Sequence, residues 1–192
     1  MNHEIRLAKT IDCEKILKIY EPYITNTAIS FETEVPSIDE FTNRVNKIIE
    51  KYPFIICEIN EIIVGYAYAS RHRERAAYKY NVDVSIYLLT EYHGKGIAHK
   101  LYDCLFKLLE KLGYINAYAA YTEPNIKSEK FHKKFGFKII GTHNKTGYKF
   151  GQWHDVTWLQ KMINEHNSPK ELLGINEIPL EEINKIINLY NK

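Results

Sequence analysis

The sequence predicts an α/β (α+β) domain, a mixed central β-sheet with helices on both faces, and three observations carry that prediction. Short β-branched or aromatic runs alternate with segments of helical period. The connections between them are mostly brief and rich in glycine, proline, asparagine or charge. One apolar strand runs through a glycine pair straight into a strongly apolar helix. The order is β-α-α-β-β-β-α-β-α-β-β, and 192 residues suit a single core.

Residues 4–8, EIRLA, read as a short edge strand, and Ile16, Ile19, Tyr20 and Tyr23 then repeat at helical spacing. After the loop TNTAISFETEVP, Ser37 and Glu40 have the spacing of a capping box, opening a helix with Phe41, Val45, Ile48 and Ile49 on one face. That helix stops near Tyr52 and Pro53. FIICEI at 54–59 and IIVGYAYAS at 62–70 are separated by Asn60 and Glu61 and predict a hairpin. The polar RHRERAAYKY leads into the strand NVDVSIYLL at 81–89. HGKGIA then opens a helix whose Ile97, Leu101, Leu105, Leu108 and Leu112 form one stripe, ended by Gly113. YINAYAAYT at 114–122 is the next strand, and Asn125 after Pro124 is the N-cap of a short helix through Phe135. The segment from Phe137 to Ile163 reads as two strands around a polar turn. Past His166 the composition becomes linker-like, before Leu180, Ile183, Ile187 and Tyr190 fall into register behind Pro179, Glu181 and Glu182. The expected division is a domain over 1–166 and an extension over 167–192, a linker plus a short amphipathic helix.

Composition narrows the function. Hydrophobic residues at 45% and charged residues at 26% are those of a soluble protein with a real core. A net charge of +2 is too small for the broad positive field that non-specific nucleic-acid binding needs, so no nucleic-acid partner is expected. No apolar run approaches a bilayer span and the N-terminus lacks an apolar signal core, so no membrane partner and a cytoplasmic location are expected. Cys13, Cys57 and Cys104 are far apart and odd in number, which predicts reduced, half-buried thiols. The histidines show no metal-ligand spacing, so no metal is expected. Most of the 15 tyrosines are expected in the core or at half-exposed strand positions rather than as a base-stacking platform.

The chemistry concentrates in HGKGIA. Two glycines between a buried strand and a helix N-terminus let backbone N–H groups point outward with the positive end of the helix dipole behind them, which is an anion site. Gly94 and Gly96 permit close approach to a pyrophosphate and Lys95 adds a cation. A glycine pair at such a turn is equally ordinary turn chemistry, and the ending of a Walker A loop is missing.

Residues His93 to Ala98 resemble the R/Q-x-x-G-x-G/A acyl-CoA loop of GNAT acetyltransferases, with His93 where Arg or Gln is usual. NVDVSIYL, EPNIKS, FHKKFGF and GYKFGQWHDVTWLQ follow in family order. Together with SFETEVPS, YPFIICEI and RERAAY, they make residues 4 to 163 similar to the phosphinothricin acetyltransferase group. The resemblance implies a single GNAT-type domain with its acyl-CoA loop between the fourth strand and the following helix. It implies acetyl-CoA as cosubstrate, a small-molecule amine acceptor bearing an acid group, of phosphinothricin or methionine sulfone type, and a homodimer.

It also implies roles. Asp83 stands where the family has a longer glutamate as general base, and the competing reading is a structural carboxylate at a strand end. Backbone N–H groups near Ile86, Tyr87 and Leu88 would meet the oxyanion. His93, Gly94, Lys95, Gly96, Ile97 and Ala98 would hold the pyrophosphate, and Asn125 and Ser128 the pantetheine arm, although both are equally good helix caps. His132 would protonate the thiolate, or else be a packing histidine. Phe31, Arg75 and Tyr78 would bind the acceptor, with a solvated basic loop as the plain reading of Arg75. Trp153, expected to be buried with a hydrogen-bonded partner, needs no catalytic role. Acetylation of a protein N-terminus, polyamine or aminoglycoside, and a CoA-binding module without chemistry, are the competing functions.

Overall fold

A computed structural model describes residues 3–191. Its strands β1 (Glu4–Leu7), β2 (Phe54–Ile59), β3 (Ile62–Arg71), β4 (Asn81–Leu88), β5 (Asn116–Thr122), β6 (Lys138–Lys149) and β7 (Gln152–Met162) form one sheet in the order β1-β2-β3-β4-β5-β7-β6. All neighbours are antiparallel except β4 and β5. That exception follows from the connection, because a long helical crossover returns a chain parallel to the strand it left. The helices are α1 (Cys13–Thr25), α2 (Ile38–Ile49), α3 (Ile97–Leu112), α4 (Ile126–Lys134) and α5 (Leu180–Ile187). Among the described residues, no helix is long and apolar enough to cross a membrane.

The local signals act as their chemistry dictates. Ser37 Oγ accepts the Glu40 N–H at 3.2 Å and starts α2. Asn60 and Glu61 both have left-handed backbone, as a two-residue hairpin between right-twisted strands requires. The turn between the last two strands falls at Phe150 and Gly151, again with positive φ at both. The polar stretch from His143 to Gly147 is no turn; β6 absorbs it as a register shift against β7.

The sheet carries a core on each face. Leu101, Tyr102, Leu105 and Leu108 of α3 are fully buried in the same cluster as Ile55, Cys57, Val64 and Ala67. On the other face, Ile16 and Ile19 of α1 and Phe41 and Val45 of α2 cluster with Phe54, Ile56 and Tyr66. The last segment joins the first of these cores. Ile175, Ile178, Ile183 and Ile187 are buried in the α3 cluster, and α5 packs against α3 and β1. Asn191 closes the outer edge of β1, accepting the Ile5 N–H at 2.6 Å and donating to the Ile5 carbonyl at 3.0 Å. The amphipathic helix expected there exists, and the stretch ahead of it also contributes core.

The three cysteines are fully buried and unpaired rather than half-buried. Burial pushes the Cys57 thiol up to about 11 and the Cys104 thiol up to about 12, which suppresses the reactive thiolate.

One ion cluster ties β1 and β2 to the start of α1. Arg6 donates two bonds to the carboxylate of Asp12, at 2.8 and 2.9 Å, and a third to Glu58 at 2.6 Å. Asp12 is 4% exposed and also accepts the Lys9 N–H at 2.7 Å. Burial alone raises its pKa, but the Arg6 and Lys9 bonds outweigh it and the net direction is downward. A depressed carboxylate contributes stability above its unfolded pKa of about 3.9, and that stability is lost as pH falls through the lower folded value. Asp12→Asn should cost about 1.5 to 3 kcal/mol near neutral pH, the range for a charge-assisted bond, and the deficit should shrink under acid. Urea unfolding of both forms at pH 7 and pH 3 checks it; a deficit equal at both would remove the ionic cause.

Candidate active site

Strands β4 and β5 pair only through Asn81–Asn116, Val82–Ala117 and Asp83–Tyr118. Beyond Asp83, β4 follows β3 as far as Leu88 while β5 follows β7 as far as Thr122, so the two facing edges part. Edge groups in such a gap need partners. The Leu89 N–H bonds Val64 O, toward β3. N–H directions alternate along a strand, so Tyr87 also faces β3, and Leu88 and Ile86 face the gap. Tyr23 of α1 occupies Leu88, donating to its carbonyl at 2.5 Å and receiving its N–H at 3.4 Å. Of the three residues expected at an oxyanion, Ile86 is the one whose N–H points into the gap without that hydroxyl on it.

At the end of β4 the chain enters the glycine turn. Gly94 and Gly96 have φ of +76° and +81°, and nothing stands within 4 Å of where either Cβ would be. The turn therefore needs glycine for its backbone and presents that backbone to open space. Gly96 is the N-cap of α3, and its carbonyl takes the His99 and Lys100 N–H groups. The N–H groups of Ile97 and Ala98 precede any intrahelical acceptor, as the first turn of a helix dictates. Ile97 is buried and anchors the turn, Lys95 lies over the Tyr92 ring at 4.7 Å, and His93 Nε2 donates to the Tyr23 hydroxyl at 3.2 Å. Open backbone donors at a helix N-terminus fit a pyrophosphate.

Asp83 sits at the last pair before the strands part. It shares a face with Ser85 and Tyr87 and, across β3, with Ser70, Tyr68 and Tyr66, the face that α1 and α2 cover. His72 Nδ1 donates to Asp83 Oδ1 at 2.7 Å. The His72 ring stacks on Tyr118 of β5, 4.1 Å between centroids and 10° from parallel, with the Tyr78 ring edge-on at 6.3 Å. Burial drives the Asp83 carboxyl pKa up; His72 and the more distant Arg73 work against it without cancelling it. Arg75 is exposed at the head of a short 3-10 turn, Ala76–Tyr78, and makes no side-chain hydrogen bond or ion pair among the described residues. Tyr78 is half-exposed beside His72, so Asp83 and Tyr78 come together through a histidine.

His132 lies on α4, whose N-cap Asn125 accepts the Ser128 N–H at 3.0 Å. It is 6% exposed, ringed by Tyr102, Phe131 and Phe137. Nδ1 donates to the Ser128 carbonyl at 2.9 Å, with Ser128 Oγ at 3.3 Å. That leaves Nε2 to accept from the Tyr102 hydroxyl at 3.2 Å. Burial pushes its pKa down, so the imidazole is neutral with both nitrogens engaged.

Phe31 covers Gly147 of β6: a Cβ there would stand 2.1 Å from its ring. Lys149, itself buried, holds the same loop by donating to Ile24 O at 2.6 Å and Ser30 O at 2.7 Å. Trp153 is not buried. It is 59% exposed and packs on Tyr148, while the neighbouring His154 is the buried member of that block. The buried residues of β7 are His154, Thr157 and Leu159, so its burial changes step between 154 and 157, and His154 Nε2 donates to the Lys149 carbonyl at 3.1 Å.

Sequence reasoning missed His72, Tyr118, Tyr23 and Lys149. Each acts across at least 11 residues of chain, between elements whose pairing no local pattern discloses.

The chain is similar to known proteins of one family. The model of the acetyltransferase (GNAT) domain family matches residues 5–158. Phosphinothricin N-acetyltransferase of Streptomyces viridochromogenes is 29% identical over 91% of this chain and 96% of its own length. L-methionine sulfoximine/L-methionine sulfone acetyltransferase of Salmonella typhimurium is 29% identical over 86% of this chain and 97% of its own. Among solved structures, a phosphinothricin acetyltransferase of Sinorhizobium meliloti in complex with acetyl-CoA aligns with a TM-score of 0.85 at 32% identity, covering 90% of this chain and 96% of that one.

A histidine held neutral inside the fold must lose its burial to take a proton. Its folded pKa lies below the unfolded value of about 6.5, so stability falls as pH drops from there toward the folded value, by at most about 1.4 kcal/mol per pH unit. His132→Phe keeps the ring and removes the titration. It should flatten a stability curve, measured by urea unfolding, just below the unfolded histidine value of about 6.5; an unchanged slope there would assign that stretch to another group.

Proposed function

Because the chain belongs to the GNAT acetyltransferases, we propose that it transfers acetyl from acetyl-CoA to the amine of a small acceptor carrying an acid group, of the phosphinothricin or methionine sulfone and sulfoximine type. The observation that carries the reading is the gap between β4 and β5, with a partly buried carboxylate at its apex and the left-handed glycine turn at its mouth.

In this reading the backbone of Gly94 to Ala98 binds the pyrophosphate, with Lys95 and His93 beside it, and Asn125 and Ser128 meet the pantetheine arm. The Ile86 N–H stabilises the oxyanion, a preorganised donor needing no rearrangement at the moment of reaction. Asp83 takes the proton from the acceptor's ammonium group, directly or through a water, because only the uncharged amine attacks. Its raised pKa suits a base that must hold that proton. Phe31, Arg75 and Tyr78 border the acceptor, with the Arg75 fork free to meet an acid group. Burial and two engaged nitrogens support His132 as an orienting residue for Ser128 and α4 more than as a proton donor. A thiolate leaving as a thiol of ordinary pKa, about 8.5, needs little help. The exposed Tyr148, Phe150, Trp153, Ile139 and Ile140 on β6, β7 and the turn between them support a homodimer through that edge. A cytoplasmic setting fits the three unpaired cysteines.

The cofactor assignment predicts that acetyl-CoA raises the melting temperature and that Gly96→Val removes most of the rise, since ligand stabilisation follows RT ln(1 + [L]/Kd). An undiminished rise in a folded variant would put the cofactor elsewhere. The acceptor and base assignments are read by thiol release with a panel of amines. Arg75→Ala should raise KM for phosphinothricin or methionine sulfone ten- to a hundredfold, about 1.5 to 3 kcal/mol, and leave KM for acetyl-CoA alone. Asp83→Asn should lower kcat about 10²-fold at neutral pH. Equal losses toward a cationic amine would overturn the acid-group assignment, and full activity in Asp83→Asn would make that carboxylate structural.

A further inference from the structure

An aspartate as base has a physical problem that the structure answers with a second residue. The side chain is short and rises from a strand, and burial favours its protonated form, in which it accepts nothing. A carboxylate oxygen already bonded by a fixed donor is oriented, and the ion it belongs to is favoured. His72 is that donor, 2.7 Å away, and it is fixed in turn. Its side chain is 10% exposed, its ring lies flat on Tyr118 and its edge meets Tyr78, so both neighbouring strands and the loop that carries Arg75 hold it in place.

We propose that His72 is the positioning residue for Asp83: its Nδ1–H holds Oδ1 of the carboxylate, turning Oδ2 to the acceptor amine, and keeps the pair ready to pass the collected proton on to solvent. The inference rests on reading Asp83 as the base. The proton balance is simple. The ammonium N–H bond breaks, its electron pair stays on nitrogen and attacks the acetyl carbon, and the proton goes to Asp83. The thioester C–S bond then breaks with its pair on sulfur, and the sulfur takes a proton to become the thiol. The acceptor ammonium supplies two protons in all; one leaves on the thiol and the other passes from Asp83 to water. His72 gains and loses no net proton.

The groups facing the pair are few. Tyr118 lies under the ring, Tyr78 at its edge, Tyr68 on the shared face of β3, and Arg73 supplies the nearby positive charge. Burial raises the pKa of both Tyr68 and Tyr118. The acid limb of the rate profile therefore reports the Asp83 carboxylate that His72 holds.

The test compares His72→Phe, which keeps the stack on Tyr118 and removes the donor, with His72→Asn, which keeps a donor. With acetyl-CoA and the best acceptor of the panel, His72→Phe should lower kcat about ten- to a hundredfold at neutral pH, in line with a misplaced base, and move the acid limb of kcat/KM up by about one pH unit. KM for acetyl-CoA should not change, and His72→Asn should restore most of the rate. Carbon NMR of the aspartate carboxyls gives a second readout: the Asp83 signal should titrate at higher pH in His72→Phe than in the wild type. A wild-type kcat and unmoved acid limb in His72→Phe, or an Asp83 titration unchanged in that variant, overturns the proposal while leaving the transfer reading intact. Full activity in Asp83→Asn overturns the base assignment and this inference with it.

Discussion

The structure depends on where β4 and β5 stop pairing. Each keeps a full-length antiparallel partner on its other side, β3 and β7, and the parallel ladder between them holds for only three residue pairs. A backbone edge left open inside a domain is costly unless something bonds it. Here Tyr23 takes one residue of the edge and the rest faces the gap. The candidate site is a consequence of that opening. The last pair before it presents Asp83, the strand beyond it presents the Ile86 N–H, and the turn at its far end presents the N-terminus of α3.

The two cores cover the two faces of the sheet that contains the gap. On one face α3 seats its leucines on small and β-branched residues of β2, β3 and β4, and α5 with its preceding isoleucines packs behind α3. On the other, tyrosines do much of the packing: Tyr66, Tyr68 and Tyr87 stack with Tyr20 and Phe54. Aromatic layers of this kind bury large area while leaving hydroxyls at their rim. Lys149 adds a fixed strut, and Phe31 is carried into place over Gly147 by the loop it holds.

Electrostatically the site is built on two groups that burial pushes toward neutrality, Asp83 upward and His132 downward. The difference between them lies in their partners. Asp83 is given a donor, which favours its ion. His132 donates to a carbonyl and accepts from a phenol that is itself fully buried, and both bonds suit the neutral ring. Burial opposes the charge of both groups, and only Asp83 has a partner that favours its ion.

The sequence by itself determined the elements and the glycine turn. Period, caps and glycines are local properties, so the stripe from Ile97 to Leu112, the Ser37 and Asn125 caps and the strand-to-helix turn at Gly94 and Gly96 were legible without coordinates. The placement of Asp83 near the start of the strand that leads into that turn was legible too. Tertiary structure decided the rest. The order β5-β7-β6, the gap after Asp83, the exposure of Trp153 and the burial of His132 all depend on which strands pair and which faces are covered. The partnership of His72 with Asp83 and Tyr118 was invisible for the same reason. It spans two strand registers and a crossover helix, and side-chain neighbours across a sheet are set by register, which no local stretch of sequence contains.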